Sequence, residues 1–306
     1  MSISVVMAVY NGAAYLVEAI ESVLGQTYKD FEFVIVDDGS TDATPAIIRD
    51  YSARDSRIVS VQLPSNQGMF AALNAGIAAA KGDLIARFDS DDIMVENRLE
   101  RQLSYLKKHP EVSVAASYSY LISDRGKVIG KSMPIVDIDR AKRTHNPSLF
   151  LEIVHPTVMM RKADFEAVGG YRDFSPVEDR DLWSRFATQG YRIAVQPEFL
   201  LLNRRHSNNI SLSQLQRGSR LGSLVDHNTI RRWRGQADQS LDEYLGSLNG
   251  IARLNNRRAD LAQFYYRKAI LAFSSKSWWS VLRLISIACL LHPKYILQAK
   301  RKLVMP

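Results

Sequence analysis

Short apolar runs alternate with segments of helical spacing along the first hundred residues. Ile3–Val9 is an unbroken apolar-rich run and predicts a buried strand. Asn11-Gly12 breaks it, and Ala13–Leu24 then places Leu16, Ala19, Ile20 and Val23 on one helical face. Phe31–Val36, Arg57–Leu63 and Leu84–Phe88 read as further strands, and Thr41–Tyr51 and Gly68–Ala80 as the helices between them. This alternation predicts an α/β fold with a mainly parallel sheet flanked by helices. In such sheets ligands bind beyond the carboxyl ends of the strands.

After residue 96 the rhythm changes. Glu96–Lys108 predicts a helix with Leu99, Leu103 and Leu106 inward, stopped by Pro110. Val112–Ile122 and Lys127–Ile129 read as strands joined at Asp124-Arg125-Gly126. Residues 134–156 carry three prolines and many charges and read as an irregular, mobile loop. Thr157–Met160 predicts a strand, Lys162–Val168 a short helix stopped by Gly169-Gly170, and Glu178–Gln189 another helix. Arg192–Val195 and Phe199–Leu202 read as two strands, with the mixed sheet ending near Arg205. From Ser211 onward the chain reads as helical. Ala259–Phe273 and Ser277–Leu291 form a pair closed by His292-Pro293 that resembles one tetratricopeptide-like unit, without making a repeat array.

The strand ends carry the polar chemistry. Strand one ends in Tyr10-Asn11, and strand two in Asp37-Asp38-Gly39-Ser40-Thr41-Asp42. Strand three leads into Asn66-Gln67-Gly68, and strand four ends in Asp89-Ser90-Asp91-Asp92. Capping by Ser40 or Thr41 accounts for part of the second set, but not for two adjacent carboxylates. A carboxylate there can accept the imide N–H of a uracil or thymine base, with Tyr10 stacked on the ring. Three carboxylates within four residues suit a hard cation, Mg²⁺ or Mn²⁺, shared with a diphosphate. Glu178-Asp179 reads either as an acidic first helical turn or, beside such a site, as a general base.

Charge divides the chain. Residues 1–202 hold 22 Lys/Arg and 27 Asp/Glu, whereas residues 203–306 hold 18 and 5, so an acidic body at −5 carries a basic tail at +13. A single cysteine, Cys289, excludes an intramolecular disulfide and a cysteine-based zinc cage. Neither a signal peptide nor a membrane-length apolar run is evident, so a cytoplasmic protein is expected, peripheral on the inner face of the membrane if attached at all. In the tail, Ser277, Ser280, Arg283 and Ser286 recur every three residues among apolar ones. The helix there either packs on the protein or lies in a membrane interface, so residues 276–306 are a candidate contact for an anionic membrane surface. No nucleic-acid-reading motif is present, and the acidic body opposes that partner.

Taken in order, Val9-Tyr10-Asn11, Asp37 to Asp42, Asn66-Gln67-Gly68, Asp89 to Asp92 and Glu178-Asp179-Arg180-Asp181-Leu182-Trp183 resemble a family 2 glycosyltransferase of the GT-A fold, over about residues 1–205. The resemblance implies a nucleotide-diphosphate sugar donor, Mg²⁺ or Mn²⁺, and inversion at the anomeric carbon. By position it implies that Asp38 binds the base and Tyr10 stacks on it, with Val9, Asn11, Asn66, Gly68 and Ser90 also on the donor side. It likewise implies that Asp89, Asp91 and Asp92 hold metal and diphosphate, and that Asp179 is the base beside Glu178. His206 matches a late basic position that reaches the diphosphate or metal, although a lone histidine after a strand is equally a structural one. His155 falls where relatives line the sugar pocket. The Gln-x-x-Arg-Trp motif and membrane spans of processive members are absent, so one sugar is expected per encounter.

The expected organisation is a nucleotide-sugar half at 1–110, an acceptor and catalytic half at 111–205, and a basic helical extension at 206–306. The expected activity is transfer of one sugar from a UDP- or dTDP-sugar to a hydroxyl of a glycan or lipid-linked glycan in cell-surface polysaccharide synthesis. The rival readings are a nucleotidyltransferase acting on sugar phosphates and a non-catalytic sugar-nucleotide-binding scaffold.

Overall fold

The computed structural model describes residues 1–206, 214–250, 258, 261–262, 265, 269 and 278–291. The chain divides into two compact units, Met1–Arg204 and Arg205–Pro306. Both halves expected within residues 1–205 therefore belong to the first unit, apart from Arg205 itself.

The first unit is built on one nine-stranded sheet. Its strands are β1 (Ile3–Val9), β2 (Phe31–Asp37), β3 (Ile58–Gln62), β4 (Leu84–Asp89), β5 (Ile93–Met94), β6 (Val112–Ser123), β7 (Val128–Ser132), β8 (Met159–Arg161) and β9 (Arg192–Arg205). They run in the order β3-β2-β1-β4-β8-β6-β9-β5, with β7 paired to β6. Among β3, β2, β1 and β4 every pairing is parallel. From β8 outward the pairings are antiparallel for β4 with β8, β6 with β8, β6 with β7 and β5 with β9. The sheet is mixed, as expected, and its parallel strands are gathered in the N-terminal half.

The crossovers are helices α1 (Ala13–Leu24), α2 (Thr44–Arg54) and α3 (Met69–Ala79). In α1 the buried residues are Leu16, Ala19, Ile20 and Val23, the face that the 3.6-residue period predicts. In α4 (Arg98–Lys108), Leu99, Leu103 and Leu106 are likewise buried. These side chains join Val5, Met7, Phe33, Ile35 and Phe88 in one core. Full burial of one such side chain contributes about 1.5–3 kcal/mol.

Several expectations are corrected. Helix α2 begins three residues later than predicted, because Ser40 and Thr41 are engaged elsewhere. Ser40 accepts from the backbone of Asn11, and it is Asp42 Oδ1 that accepts the Thr44 N–H, so neither Ser40 nor Thr41 caps the helix. Residues 134–156 are ordered as α5 (Ile138–Thr144), α6 (Ser148–Leu151) and the start of a 3-10 turn, His155–Thr157. Asp137 caps α5 by accepting the Arg140 N–H at 2.9 Å, and Ala141, Phe150 and Leu151 are buried. That short amphipathic pattern is hidden among charges in the sequence. The predicted break between Arg192–Val195 and Phe199–Leu202 is absent, and one long β9 spans both. Strand β5 has only two residues and no sequence signal, since it exists through pairing with Leu201 and Leu202. Helices α7 (Lys162–Ala167) and α8 (Glu178–Thr188) form as expected.

The second unit contains α9 (Leu215–Trp233), α10 (Leu241–Ser247) and α11 (Trp278–Leu291). Ser240 and Glu243 form a capping box at the start of α10. Most of the predicted helix 259–273 lies outside the described residues, as do 276–277 and 292–306. Within α11, Ala288 packs against Ala262, with Ile285 and Cys289 alongside. The opposite face of α11 exposes Trp279, Leu282, Arg283, Ser286 and Leu290. Among the described residues no helix is long and apolar enough to cross a membrane.

Candidate active site

The register of the parallel strands brings the polar sets together. Val9 pairs with Asp37 and Ala8 with Asp89, so the ends of β2, β1 and β4 stand side by side. Asp38 N–H donates to the Val9 carbonyl at 2.9 Å, and Leu63 N–H to the Asp37 carbonyl at 2.9 Å.

Asp38 is buried, and its carboxylate accepts the backbone N–H groups of Gln67 at 2.7 Å and Gly68 at 3.0 Å. Gly68, at φ 91°, turns that amide inward at the head of α3. Gly39, at φ 72°, lies against the same loop: a Cβ there would stand 2.6 Å from the Ser65 Cα. Tyr10 is 48% exposed at the neighbouring strand end, so its ring is open to a planar ligand. Asn11, at φ 50°, ties the first two loops together: its N–H donates to Ser40 Oγ, and its Oδ1 accepts Thr41 N–H at 2.8 Å. Asn66 is exposed, and Ser90 is half-buried with its Oγ facing Gly12.

Asp89, Asp91 and Asp92 each offer a carboxylate oxygen, and these oxygens lie within 4.8 Å of one another. An all-oxygen donor set of this kind fits Mg²⁺ or Mn²⁺. The three residues are not equivalent. Asp92 is fully buried and accepts Asn203 Nδ2 at both oxygens, 3.0 and 2.8 Å, and Arg204 N–H at 2.7 Å. Burial, with Asp91 and Asp89 adding like charge, holds its carboxyl well above the usual carboxylate range, a cost that a divalent cation would relieve. His206 is the second residue of the second unit, and the acidic trio forms without it.

Arg87 lies beneath this cluster. Read in the sequence as one residue of an apolar strand, it is 3% exposed, and its Nη1 stands 2.5 Å from Asp89 Oδ1. Burial opposes its charge, but the Asp89 carboxylate more than offsets this and holds the guanidinium raised. That charge bears on two clusters, lowering the carboxyls of both Glu178 and Asp179 against the upward push of burial. A basic residue inside an otherwise apolar strand, two positions before the acidic set, is the signal that could have marked it.

Glu178 and Asp179 open α8. Glu178 is 7% exposed, and its Oε2 has no hydrogen-bond partner. Burial, then the neighbouring Asp179, pushes its carboxyl up to about 7. Asp179 is also raised, by burial first, while its Oδ1 accepts the Arg180 N–H at 2.7 Å. A carboxylate with affinity for a proton near neutral pH suits general-base work.

The segment leading to α8 is fixed by Asn74, Arg172 and Arg185, which the sequence reading passed over, and by Asp181, which it quoted without a role. Asn74 on α3 clamps the backbone of Tyr171, donating to its carbonyl at 2.8 Å and accepting its N–H at 3.0 Å. Asp181 is fully buried and accepts from Arg172 Nε at 2.9 Å and Arg185 Nε at 3.0 Å. Arg185 also holds the carbonyls of Val168 and Gly170. His155 is buried, with its Nε2 2.6 Å from the Tyr171 hydroxyl and its ring edge-on to Trp183. Burial and the nearby Arg87 charge hold its imidazole neutral. These contacts pack it against the Tyr171 segment.

Residues 4–167 match the family described as Glycosyl transferase family 2. The glycosyltransferase EpsE of Bacillus subtilis is 36% identical over 194 residues, 62% of this chain and 68% of that protein. The amylovoran biosynthesis glycosyltransferase AmsE of Erwinia amylovora is 32% identical over 202 residues, 65% of this chain and 74% of its own length. Among solved structures, S. aureus TarS 1-349 in complex with UDP-GlcNAc aligns over 99% of this chain and 88% of its own, with a TM-score of 0.62 at 18% identity. The mannosyltransferase PcManGT from Pyrobaculum calidifontis, in complex with GDP-Man and Mn²⁺, aligns over 98% and 83%, with a TM-score of 0.62 at 17% identity. These two share the fold. The family match spans more than half of the chain, and the chain belongs to the family 2 glycosyltransferases.

Proposed function

We propose that this enzyme transfers a single sugar from a UDP- or dTDP-sugar to a hydroxyl of a glycan or lipid-linked glycan, with inversion, in cell-surface polysaccharide synthesis. The observation that carries the reading is the convergence of Asp38, the Asp89–Asp91–Asp92 trio and Glu178–Asp179 in one unit, with Arg87 acting on the last two sets.

The base ring lies against Tyr10, with Asp38 accepting its imide N–H while the Gln67 and Gly68 amides hold the carboxylate in place. Val9, Asn11, Asn66 and Ser90 shape the loops around it. Asp89, Asp91 and Asp92 would hold Mg²⁺ or Mn²⁺, which would supply positive charge against the diphosphate. Asp179 takes the proton of the acceptor hydroxyl, whose oxygen attacks the anomeric carbon from the face opposite the leaving group. Burial raises the affinity of the Asp179 carboxylate for that proton, and Glu178 lies beside it.

A relative named for amylovoran biosynthesis supports the pathway class. Neighbours of the same fold that hold UDP-GlcNAc or GDP-Man support a nucleotide-sugar donor. The exposed Trp279, Leu282 and Leu290 on α11, beside a basic tail, support peripheral attachment to an anionic membrane through 276–306 on the cytoplasmic side.

A screen of UDP-, dTDP- and GDP-sugars with Mn²⁺, scored by nucleoside diphosphate release, tests the reading. UDP or dTDP release is expected, whereas pyrophosphate release would replace it with nucleotidyl transfer, and no release at all would leave only a binding scaffold. Asp179→Asn is expected to lower turnover by about 10²–10⁴-fold with donor affinity retained. Wild-type turnover in that variant would sink the assignment of the base.

A further inference from the structure

The hairpin β6–β7 and the segment after it form a surface that the sugar-transfer reading does not use. Val128, Ile129, Met133 and Ile135 are 51%, 43%, 57% and 68% exposed. These are four of the seven large hydrophobic residues that the first unit exposes, and they fall within eight consecutive positions. Val128 and Ile129 are adjacent on one strand, so the ribbon is apolar on both of its faces. Strand β7 pairs with β6 and with no other described strand, which leaves it at an edge.

Charge on this segment runs against the rest of its unit. Residues 124–143 carry six Lys/Arg and three Asp, an excess of +3, while the remainder of residues 1–202 holds 16 Lys/Arg and 24 Asp/Glu, or −8. All six cations are exposed: Arg125, Lys127 and Lys131 on the hairpin, Arg140, Lys142 and Arg143 on α5. One of the three aspartates, Asp137, is occupied in capping α5. Exposed aliphatic side chains interleaved with exposed cations are complementary to a surface with an anionic rim and an apolar interior.

The hairpin is also tied to the catalytic edge. Arg204, at the end of β9, donates from Nη1 to the Asp124 carbonyl at 3.1 Å and from Nε to the Asp91 carbonyl at 2.8 Å. One buried guanidinium therefore joins the hairpin turn to the acidic cluster.

We propose that the β6–β7 hairpin and the segment through Ile135 dock on an anionic phospholipid bilayer, with α5 contributing cations, and thereby hold the acidic edge of the sheet close to the lipid surface. The contact lies wholly in the first unit. It is independent of the tail and of which sugar is transferred.

Sedimentation of the full chain with vesicles of phosphatidylcholine, with and without phosphatidylglycerol, tests this. Binding is expected only to the anionic vesicles. Each cation near such a surface is worth about 1 kcal/mol, so R125Q/K127Q/K131Q is expected to weaken partitioning on the order of 10²-fold. V128S/I129S/M133S/I135S is expected to weaken it by at least about 10-fold, with turnover on a soluble acceptor unchanged. In the wild-type chain, amide exchange over residues 124–135 is expected to slow when anionic vesicles are added, a readout that needs no variant. Partitioning equal to wild type in both variants would assign the membrane contact to the tail alone and overturn the proposal. So would unchanged exchange over 124–135, or a dimeric wild type that V128S/I129S/M133S/I135S converts to a monomer, which would make the surface a contact between copies.

Discussion

The side-chain amide of Asn203 donates to both carboxylate oxygens of Asp92, at 3.0 and 2.8 Å, across 111 residues of chain. With the Arg204 N–H, it gives a fully buried carboxylate three donors and fixes the acidic loop to the end of β9. Asn203→Ala removes two of the three and is expected to cost about 1–3 kcal/mol in urea unfolding. Mn²⁺ affinity, measured calorimetrically in the presence of UDP, is expected to fall in the same variant. Stability and affinity both equal to wild type would mean that Asp92 is held by other means.

Glu178 predicts a pH signature with a definite sign. Its folded-state value near 7 lies above the ordinary 4.5, so the folded state binds this proton more tightly than the unfolded chain does. Its contribution to stability is present below about pH 4.5 and is lost as pH rises through 7. In metal-free buffer, Glu178→Gln is therefore expected to melt higher than wild type at pH 8, with the advantage shrinking at pH 5. An advantage that grows toward acid pH would contradict the burial assigned to this group.

Arg87 compensates buried carboxylates in two clusters. Arg87→Met is expected to destabilise the protein by about 3–5 kcal/mol, the usual cost of stranding a buried partner. Its charge lowers the carboxyls of Glu178 and Asp179, so without it the acidic limb of the kcat/KM profile moves to higher pH. Arg87→Lys keeps the charge and is expected to restore most of the limb. A limb that stays in place in Arg87→Met would separate this arginine from the base.

Gly39 tests the nucleotide loop. At φ 72° an alanine is strained, and its Cβ would press on the Ser65 backbone. Gly39→Ala is expected to lose about 1 kcal/mol or more of stability. By displacing the Gln67 and Gly68 amides from Asp38, it should also weaken UDP binding by about 10-fold, read by calorimetry. Unchanged UDP affinity would detach that loop from the base pocket.

The polar sets at the ends of β1, β2 and β4 were legible because each lies at the end of a periodic run. The run places the strand, the strand places its end, and a carboxylate at that end has few structural uses. The family match confirms the class of enzyme read from those motifs. Less legible were Arg87, Asn74, Asn203 and Arg204, whose partners lie 2 to 186 residues away. His155 is held by contacts of the same long-range kind, its ring packed against Tyr171 and Trp183.

The sequence by itself determined the elements whose signal is local: the apolar face of α1, the inward leucines of α4, the strand ends and the acidic sets upon them. Periodicity and turn chemistry act over a few residues, so they survive in a linear reading. The tertiary structure alone decided which carboxylates are buried, which cation compensates them, and how β9 returns to brace Asp92. Those properties depend on desolvation and on distances between segments far apart in the chain. Residues 134–156 show the boundary between the two: they read as an irregular loop, and only the tertiary structure, with Asp137 capping α5 and Ala141, Phe150 and Leu151 packed into the interior, orders them.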